Sequence, residues 1–587
     1  MAKVWRFHPH DAERIGQLER SAGISPIVAQ LLVARGVFDP AAARTFLDPK
    51  LTALRDPEEL PGVTAAAERI IAAVGDGRRI VIYGDYDADG VTATALLYRC
   101  LTLLGANVGY YVPSRIDEGY GLNDDALRTI AGGGAKLVIT VDCGIASVHE
   151  AETARELGLE LVITDHHAFG PTLPDATALV HPQLPGHDYP FAGLCGAGVA
   201  FKLAWALCQH ASGAKRVGER MKNFLLQAVG LAAIGTVADV VPLVDENRVL
   251  VTHGLVSLKQ QPTLGLAALM RVAELHEKPV LSSEDLAFTI GPRLNAAGRL
   301  GQAQLAVELL ATDSPERAQA LAEYLHELNN SRGSLERSIM LSASKQIREF
   351  FDPEADAALV LADHDWHCGV IGIVAGRLVE KYHRPVVVVS LDKLGIKPGQ
   401  GSARSVPGFN LHEALAACSH HLVSHGGHAA AAGLKIEEQN VEAFRADFCE
   451  HAARCIKAEG RIAEVAIDAE APLSSLTLAA VEQLERLAPF GSGNTRPLLA
   501  TAGVELAQPP KRMGEGGRHV SLLLRQHGAT ARAVAFGQGD WADELAVVDG
   551  PISVAYRPVI NHFRGRRSVD LHLVDWKPTH AAVAQVS

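Results

Sequence analysis

The feature that most constrains the fold is an alternation of short apolar runs with helical segments between residues 79 and 167. RRIVIYG, KLVITVDCG and LELVITDHH are nearly continuous apolar runs, whereas TATALLYRCLTLLG and ASVHEAETARELG are typical of helices. Strands that are buried on both faces have such continuous sequences, and helices of this length connect parallel strands. We therefore expect an α/β domain built on a parallel sheet.

Four further regions are predicted around this domain. SPIVAQLLVARG begins with a helix-capping Ser and Pro and ends at Gly, and the first 50 residues look helical throughout. Residues 316–350 contain no proline and predict one or two long helices between two lobes, or a plain pair of core helices. ALVLADHDW, VIGIVAGRLVEKYH and RPVVVVSLD form a second strand–helix–strand unit, and short alternating strands after residue 465 indicate a small β-barrel.

The predicted architecture is therefore α/β, with two α/β lobes joined by long helices and a C-terminal β-barrel of the OB type. Its regions are an N-terminal helical extension (1–50), a first α/β domain (51–262), a helical connector (263–350), a second α/β domain (351–462) and the barrel (463–587).

Composition fits a cytoplasmic globular protein. The eight cysteines are scattered without a CxxC pair, which argues against a zinc site and a disulfide framework and fits a reducing cytosol. The N-terminal residues are too polar for a signal peptide, and the apolar segment Phe224–Ala238 is shorter than a membrane helix, so we expect a buried helix and no membrane association. A net charge of −12 argues only weakly against nucleic acid, because local patches decide binding.

Three aspartates stand together in GDYDADG, directly after the first of these strands. Asp85, Asp87 and Asp89 alternate along the chain, so that Asp87 and Asp89 share a face if the segment stays extended. Neighbouring carboxylates resist ionising together. Turn formation and helix capping could explain one such aspartate, but three favour water, basic partners or metal ions around them.

Other strand ends supply more ligands of the same kind. Asp142 ends one strand, and Asp165, His166 and His167 end another. Ligands bind at the carboxyl ends of strands in open parallel sheets, which would bring these groups to one edge. Asp239 follows an apolar helix, where a carboxylate interacts unfavourably with the helix dipole unless a cation is near. Oxygen ligands with one or two imidazoles suit Mn²⁺ or Mg²⁺, as one ion or as a pair.

At these residues the chain resembles the DHH phosphoesterases. GDYDADG, VDCG, DHH and GTVADVVPL match the four motifs of that family, and GGHAAAAG matches the motif of its second domain. SRIDEGYG, GPRLNAAGR, WHCGVIGIVAGRL, GSARS and PFGSGN extend the resemblance to the bacterial 5′→3′ exonucleases of that family that act on single-stranded DNA. The likeness covers nearly the whole chain.

The resemblance implies a set of site residues. The implied metal ligands are Asp87, Asp89, Asp142, His166 and Asp239. Asp142 would bridge two ions, Asp85 would support the ligands from outside, and His167 would act on the scissile phosphate or the leaving group, with Asp165 in the catalytic set. Many family members have His where Tyr83 stands, so the first ion is expected to bind weakly or only with substrate.

The resemblance also implies how the nucleic acid is held. Arg115, Ser402 and Arg404 would bind a 5′-terminal phosphate and so set the polarity. The remaining substrate-binding residues would be Gly426, Gly427 and His428 at the nucleotide, and Arg293, Asn295 and Arg299 along the strand. In the barrel, basic and aromatic residues would hold the single strand: Lys511, Arg512, Arg518, Arg564, Arg566 and Arg567, with Tyr556 and Phe563 nearby.

The implied activity is two-metal hydrolysis of single-stranded DNA from its 5′ end to 5′-mononucleotides, in recombination and repair. The implied partners are single-stranded DNA, a single-strand-binding protein and a RecQ-type helicase. Two alternatives stay open: a phosphoesterase for short oligonucleotides or cyclic dinucleotides, and a replication scaffold that has lost its metals. The length and the barrel disfavour the first, and the nearly intact ligand set disfavours the second.

Overall fold

The computed structural model of the chain describes residues 3–115, 118–352, 355–456, 464–563 and 565–579. The chain divides into two compact units. One is formed by residues 51–462, and the other combines residues 1–50 with residues 463–587. Segments from opposite ends of the chain therefore fold together.

The amino-terminal segment contains a strand as well as the predicted helices. Its elements are β1 (Val4–Phe7), α1 (Ala12–Ala22), α2 (Pro26–Ala34) and α3 (Pro40–Leu47). Ser25 precedes Pro26 at the start of α2, and the Asp39 side chain accepts a hydrogen bond from the Ala42 amide at the start of α3. These starts follow the sequence signals for helices, whereas β1 depends on a partner from the other end of the chain.

The first α/β domain has the predicted parallel sheet, with strands in the order β3-β2-β4-β5-β6. Its strands are β2 (Ile80–Tyr83), β3 (Val108–Tyr111), β4 (Leu137–Val141), β5 (Glu160–Thr164) and β6 (Ala178–Val180). Its helices are α4 (Val63–Gly75), α5 (Ala88–Leu103), α6 (Asp124–Gly132), α7 (Val148–Glu156), α8 (Gly196–Ser212), α9 (Glu219–Ala238) and α10 (Asp245–Gln260).

Burial explains the apolar sequences of this domain. All residues of β2 and β4 are buried, as continuous apolar strands between two helical layers should be. Helix α9 is long and apolar enough to span a membrane by length and composition alone. It is instead an inner helix of this domain, buried from Ala228 to Val237, as the sequence predicted.

The connector contains one long helix, which links the two lobes. Its elements are α11 (Leu264–Val272), α12 (Ser283–Asp285), a π-helical turn (Leu286–Ile290), α13 (Gly291–Arg299), α14 (Ala303–Ala311) and α15 (Pro315–Phe350). Leu321 and Leu325 near the start of α15 pack into the core of the first domain. Ile339 and Ile347 near its end pack with the second domain. This 36-residue helix confirms the predicted connection between lobes.

The second α/β domain has a mixed sheet in the order β10-β11-β9-β8-β7, in which β7 and β8 are parallel and the other pairs antiparallel. Its elements are β7 (Leu359–Asp363), α16 (Cys368–Tyr382), β8 (Val386–Ser390), β9 (Gly399–Arg404), α17 (Leu411–Ala417), β10 (Leu422–Gly427), β11 (Ala431–Ile436) and α18 (Val441–Cys455). The predicted strand–helix–strand unit corresponds to β7, α16 and β8.

The carboxyl-terminal region is the predicted OB-type barrel. Its elements are β12 (Glu464–Ile467), β13 (Ala469–Glu470), α19 (Leu478–Glu485), β14 (Leu499–Leu506), β15 (Lys511–Met513), β16 (His519–Gln526), β17 (Ala529–Ala535), α20 (Trp541–Ala546), β18 (Ile552–Phe563) and β19 (Arg566–Pro578). The order β14-β18-β19-β17-β16 closes through a second pairing of β14 with β16. Strand β12 lies parallel to β1, with Val4 opposite Glu464.

Candidate active site

The carboxyl edge of the parallel sheet brings the predicted ligands together. GDYDADG follows β2, Asp142 follows β4, and His166 follows β5. His166 Nε2 lies 3.1 Å from Asp142 Oδ1, 3.6 Å from Asp239 Oδ2 and 4.0 Å from Asp89 Oδ2. The four groups thus face a common point although they come from three strand ends and one helix end.

These side chains form three overlapping groups, each with ligand atoms within 4.8 Å of one another. The groups are Asp85–Asp87–Asp142, Asp89–His166–Asp239 and Asp142–His166–His167. Asp142 belongs to two of them, which is the arrangement expected of a carboxylate shared by two cations. Among the described residues, Asp85 Oδ1, Asp142 Oδ1 and His166 Nε2 are buried without a hydrogen-bond partner. Two carboxylate oxygens and a neutral imidazole nitrogen without partners are acceptor atoms that a cation can bind.

Backbone geometry fixes the carboxylates in place. Asp87 caps α5 by accepting hydrogen bonds from the amides of Asp89 and Gly90, at 2.9 and 3.0 Å. Asp89 accepts the amides of Gly196 and Ala197 at the start of α8, at 2.7 and 2.9 Å. Asp142 has a φ of 64°, a left-handed conformation that is strained for a residue other than glycine.

Two glycines leave room for these carboxylates. A Cβ atom on Gly196 would lie 2.5 Å from Asp142 Oδ1, and one on Gly235 would lie 2.3 Å from Asp89 Oδ1. Both distances are far below van der Waals contact. The helices α8 and α9 therefore approach the centre as closely as they do because these positions lack side chains.

Burial and mutual repulsion raise the pKa values of the clustered carboxyls. Burial and the neighbouring Asp89 hold the pKa of Asp142 well above its usual range. Burial and Asp89 raise the pKa of Asp239 to about 8, and burial and Asp87 raise the pKa of Asp89 to about 6. Burial lowers the pKa of His166 to about 4, so its imidazole is neutral and can act as a ligand. The centre therefore fits hard divalent cations, which would let these carboxyls ionise together.

Both oxygens of Asp165 are engaged by the protein, and one of them contacts the imidazole of His167. Oδ2 accepts the amide of Ile145, and Oδ1 accepts the amide of His166 and lies 2.8 Å from His167 Nδ1. Burial opposes a charged imidazole, but Asp165 outweighs it and raises the pKa of His167 to about 9. Tyr120 also contacts His167 Nδ1, at 3.1 Å. Asp165 therefore positions and charges His167.

Tyr83 is fully buried, and its hydroxyl is engaged by the protein. The hydroxyl donates to the carbonyl of Gly121 at 2.9 Å and accepts from the Asn123 side chain at 3.2 Å. Its ring stacks on Tyr111, with centroids 5.4 Å apart. Tyr83 thus fills a packing role next to the centre.

Four arginines gather near the centre. Burial lowers the pKa of Arg299 to about 10, with further lowering by Arg115, Arg332 and Arg404. Arg404 is half-buried, which lowers the pKa of its guanidinium, and its Nη1 donates to Ser402 Oγ at 3.1 Å. Like-charged guanidiniums are held together at a cost that a bound anion would offset. Arg332, on α15, was not predicted, because nothing in its local sequence marks it.

The other predicted substrate residues lie in different settings. Asn295 Oδ1 accepts the amide of Ala88 at 2.8 Å and so supports the aspartate loop. Arg293 contacts His326 Nδ1 and donates to the carbonyl of Thr289. Arg299 Nη1 donates to the carbonyl of Gly369 at 3.1 Å, which joins the connector to the second domain.

The glycine-and-histidine motif forms the tip of the β10–β11 hairpin. Gly426 and Gly427 are exposed at the end of β10, and the amide of His428 donates to the carbonyl of Ala431. Gly427 has a φ of 134°, where a side chain would strike the backbone of Ala432. Gly426 and Arg115 line a common groove between the two α/β domains.

The barrel differs from the sequence prediction at its aromatic residues. Tyr556 is fully buried and its hydroxyl lies 2.7 Å from Thr501 Oγ1, so the prediction that it offers a surface for bases is wrong. Phe536, which was not predicted, is 54% exposed and packs edge-on against His519 and His572. The side chain of Phe563 and the whole of Arg564 lie outside the described residues.

The basic residues of the barrel are spread over its surface. Arg566 and Arg567 line a groove that also contains Leu473 and Leu523. Arg512 is paired with Asp543 at 2.6 Å. Lys511 and Arg512 lie on the short strand β15, and Arg518 immediately precedes β16.

Comparisons with known proteins agree with this architecture. Family models match the N-terminal domain of the DHH family at residues 79–236, the DHHA1 domain at residues 355–454 and the RecJ OB domain at residues 467–575. The fold and the carboxylate centre thus define a protein of the DHH class.

Relatives that match along nearly the whole chain identify the family within the DHH class. The single-stranded-DNA-specific exonuclease RecJ of Bacillus subtilis is 38% identical over 97% of this chain and 70% of that protein. The RecJ of Escherichia coli is 34% identical over 94% of this chain and 95% of that protein. The crystal structure of RecJ from Thermus thermophilus in complex with Mn²⁺ matches with a TM-score of 0.82 and 34% identity, and covers 98% of this chain and 79% of that chain. The chain belongs to the RecJ family.

Proposed function

We propose that the chain is a metal-dependent exonuclease specific for single-stranded DNA. The observation that carries this function is the buried carboxylate–imidazole centre beside the arginine cluster, in a chain of the RecJ family. A phosphodiester needs both features, because hydrolysis requires an activated water and the negative backbone requires cationic groups.

Asp87, Asp89, Asp142, His166 and Asp239 would hold one or two Mn²⁺ or Mg²⁺ ions, and Asp142 would be shared. Related structures contain either Mn²⁺ or Mg²⁺. When bound, such ions lower the pKa of a water and stabilise charge on phosphate oxygens. Asp85 is buried, with a carboxylate oxygen within 4.8 Å of the ligand atoms of Asp87 and Asp142, and it would assist these ligands.

His167 supplies a proton donor beside this centre. Its Nδ1 is used by Asp165 and Tyr120, so Nε2–H is the group that it can present to a phosphate oxygen or a leaving oxygen. Asp165 keeps the ring protonated at neutral pH. The Asp165–His167 pair would therefore keep a positively charged imidazole beside the centre, and Asp165 itself would not bind a metal ion.

The arginine cluster supports a direction in which the DNA strand is degraded. Arg115, Ser402 and Arg404 would bind the 5′-terminal phosphate, and Arg299 would add positive charge near them. The charge of Arg332 is paired with Glu336 at 2.8 Å. A terminal phosphate held there would let the enzyme work 5′→3′ and release 5′-mononucleotides. Gly426, Gly427 and His428 would contact the nucleotide, and the amides exposed by the two glycines suit a close backbone approach.

The test uses long single-stranded DNA labelled at either end, with Mn²⁺. We expect progressive loss from the 5′ end in the parent and no loss in Asp142→Ala. Asp175→Ala removes an exposed aspartate of the same domain and serves as the matched control, with parental activity. Loss of label in Asp142→Ala would contradict the metal assignment. Cleavage of dinucleotides but not of the long strand would favour the small-substrate alternative, and no Mn²⁺ binding would favour the scaffold.

The polarity has its own test. Substrates with a 5′-phosphate and a 5′-hydroxyl are compared in the parent, Ser402→Ala and Arg404→Gln. We expect the parent to prefer the 5′-phosphate and both variants to lose that preference while their Mn²⁺ affinity stays unchanged. Equal preference in parent and variants would contradict the assigned phosphate pocket.

The biological setting follows from family membership. We propose that the protein acts in the cytoplasm, in DNA recombination and repair, with a single-strand-binding protein and a RecQ-type helicase as partners. Support comes from the resemblance alone. Co-purification of each candidate with the full chain, before and after nuclease treatment that removes DNA, would separate direct contacts from contacts bridged by DNA.

A further inference from the structure

A second cluster of metal-ligating side chains lies in the second α/β domain, away from the sheet edge that carries the aspartates. His420 and His421 belong to a 3₁₀ turn (Ser419–His421) between α17 and β10. Asp447 lies on α18, against the same turn. His421 Nε2 is 2.9 Å from Asp447 Oδ2, and His420 Nε2 is 3.3 Å from the same oxygen.

The geometry of these three groups fits a small cation. Their ligand atoms all lie within 4.8 Å of one another, and the two imidazole rings are only 4.0 Å apart. Zinc binds nitrogen and oxygen at about 2.0–2.1 Å with tetrahedral geometry, which places neighbouring ligand atoms about 3.3 Å apart. The two nitrogen–oxygen distances are close to that spacing.

The protein fixes this arrangement from both sides. The Asn440 side chain donates to the carbonyl of His421 at 3.3 Å, and the amide of His421 donates to the carbonyl of Cys418. Phe444 and Phe448, on the same helix as Asp447, are fully buried in the domain core. The ligands are therefore held near one another by the fold before any ion arrives.

Ligand type separates this cluster from the carboxylate centre. Two imidazoles with one carboxylate suit zinc and similar transition metals, whereas oxygen-rich sites suit Mn²⁺ and Mg²⁺. The His420 side chain is 61% exposed and that of Asp447 is 47% exposed, so water can reach the site and fill a fourth position. The scattered cysteines argue only against a Cys-type zinc site, whereas these three ligands meet because α18 brings Asp447 to the His pair.

We propose that His420, His421 and Asp447 form a second metal site, which binds Zn²⁺ with water completing the coordination. The ion would tie the start of β10 to α18. Because β10 carries Gly426 and Gly427 at its far end, zinc would stabilise the hairpin that holds the glycine-and-histidine motif. The binding itself does not depend on the exonuclease function.

The experiment measures zinc bound by the full chain after dialysis against Zn²⁺, using atomic emission. Any zinc taken up by the carboxylate centre is the same in every sample, so the result is the difference between variants. We expect His420→Ala/His421→Ala and Asp447→Asn each to bind one equivalent less than the parent. His364→Ala is the matched control, because His364 pairs with Glu438 at 3.0 Å on the same domain, and among the described residues this pair belongs to no group of three ligands.

Asp447→Asn keeps the size of the side chain and guards against a misfolded double variant. The circular dichroism spectrum and the Mn²⁺ stoichiometry of both site variants should match those of the parent. Zn²⁺ should raise the unfolding temperature of the second domain in the parent and in His364→Ala, but less in the two site variants. Equal zinc stoichiometry in the parent and Asp447→Asn would overturn the proposal, as would a loss of zinc in His364→Ala.

Discussion

Single carboxylates at the centre carry an electrostatic cost that either a proton or a metal ion can offset. Asp142, Asp239 and Asp89 are buried close together, and their raised pKa values mean that protons occupy some of them in the metal-free protein. Protons and metal ions therefore compete for the same oxygens. This competition can be measured directly.

Mn²⁺ binding should release protons, because a metal binds the deprotonated carboxylates. At pH 7 Asp239, with a pKa of about 8, is largely protonated in the metal-free protein and must lose its proton. The release from Asp239 should fall as the pH rises above 8, because the group is then already deprotonated. Mn²⁺ affinity should rise with pH up to about 8 and level off above it. Titration calorimetry in buffers of different ionisation enthalpy measures the proton count. A proton release that stayed constant over about three pH units around neutrality would contradict this picture.

Asp165→Asn should impair the reaction while leaving the metal ligands in place. The amide accepts hydrogen bonds but carries no charge, so the pKa of His167 should fall from about 9 towards its ordinary value. We expect kcat to fall about 10–100-fold with a smaller change in KM. A pH–rate profile is the decisive measurement, since loss of activity should begin at lower pH in the variant. Tyr120→Phe, which removes one contact to His167, should have a smaller effect.

At the scale of elements, the site depends on how closely three helices meet. Helices α5, α8 and α9 converge on Asp89, and Gly235 on α9 faces Thr92 and Ala197 on the other two. A methyl group at Gly235 would lie 2.5 Å from the Ala197 Cβ and 2.7 Å from Thr92 Oγ1. The helices would have to separate, and Asp89 would move with α5.

Gly235→Ala should therefore weaken Mn²⁺ binding about 10–100-fold, the usual effect of disturbing the support of a ligand. Gly376→Ala is the matched control on α16, where an added methyl meets no described atom within 4 Å. It should leave Mn²⁺ affinity unchanged and add about 0.5–1 kcal/mol of stability, because glycine in a helix costs conformational entropy. Calorimetric Mn²⁺ titration measures the affinity of the two variants, and thermal unfolding measures their stability. Parental Mn²⁺ affinity in Gly235→Ala would refute the close-packing argument.

Strands with a continuous apolar sequence could be predicted from the sequence, and so could the functional residues that follow them. The strands β2, β4 and β5 are continuous apolar runs, so the positions of Asp142 and His166 at one sheet edge followed from the parallel arrangement. Tyr556 could not be placed correctly. Side chains alternate along a barrel strand, and the sequence does not show which of the two faces is inside.

Residues that are brought together only by the packing of distant elements could not be predicted from the sequence. Arg332 reaches the arginine cluster from the middle of α15, and Phe536 is displayed at the end of β17. Neither stands in a motif. Asp165 was predicted with a catalytic role, but which of its oxygens are already engaged depends on the fold around Ile145.

At the scale of the whole molecule, the barrel unit is built from both chain ends. Ile15, Leu18 and Leu32 pack in the same core as barrel residues such as Leu499 and Leu522. Trp5 Nε1 donates to Asp575 at 2.6 Å, and Lys577 lies 4.9 Å from the Trp5 ring. Pairings between positions so far apart leave no local pattern, which is why residues 1–50 were predicted only as a helical extension.

Trp5→Ala should destabilise the barrel unit by about 1.5–3 kcal/mol, since it removes a hydrogen bond to a charged group as well as ring contacts. Trp5→Phe keeps much of the ring and should lose less. Mn²⁺ affinity should match the parent in both variants, because the metal centre belongs to the other unit. Differential scanning calorimetry with and without Mn²⁺ measures these effects. A fall in Mn²⁺ affinity in Trp5→Ala would contradict the expectation that the metal centre is independent of the barrel unit.

The pairing of β1 with β12 has a consequence for how the chain is made. A ribosome releases β1 before residues 51–462 and its partner β12 only after them. That middle stretch is contiguous and can fold as soon as it is complete. The nascent chain would then hold a finished metal centre while its first 50 residues still wait for the barrel, which makes the amino-terminal segment the part most in need of protection by chaperones.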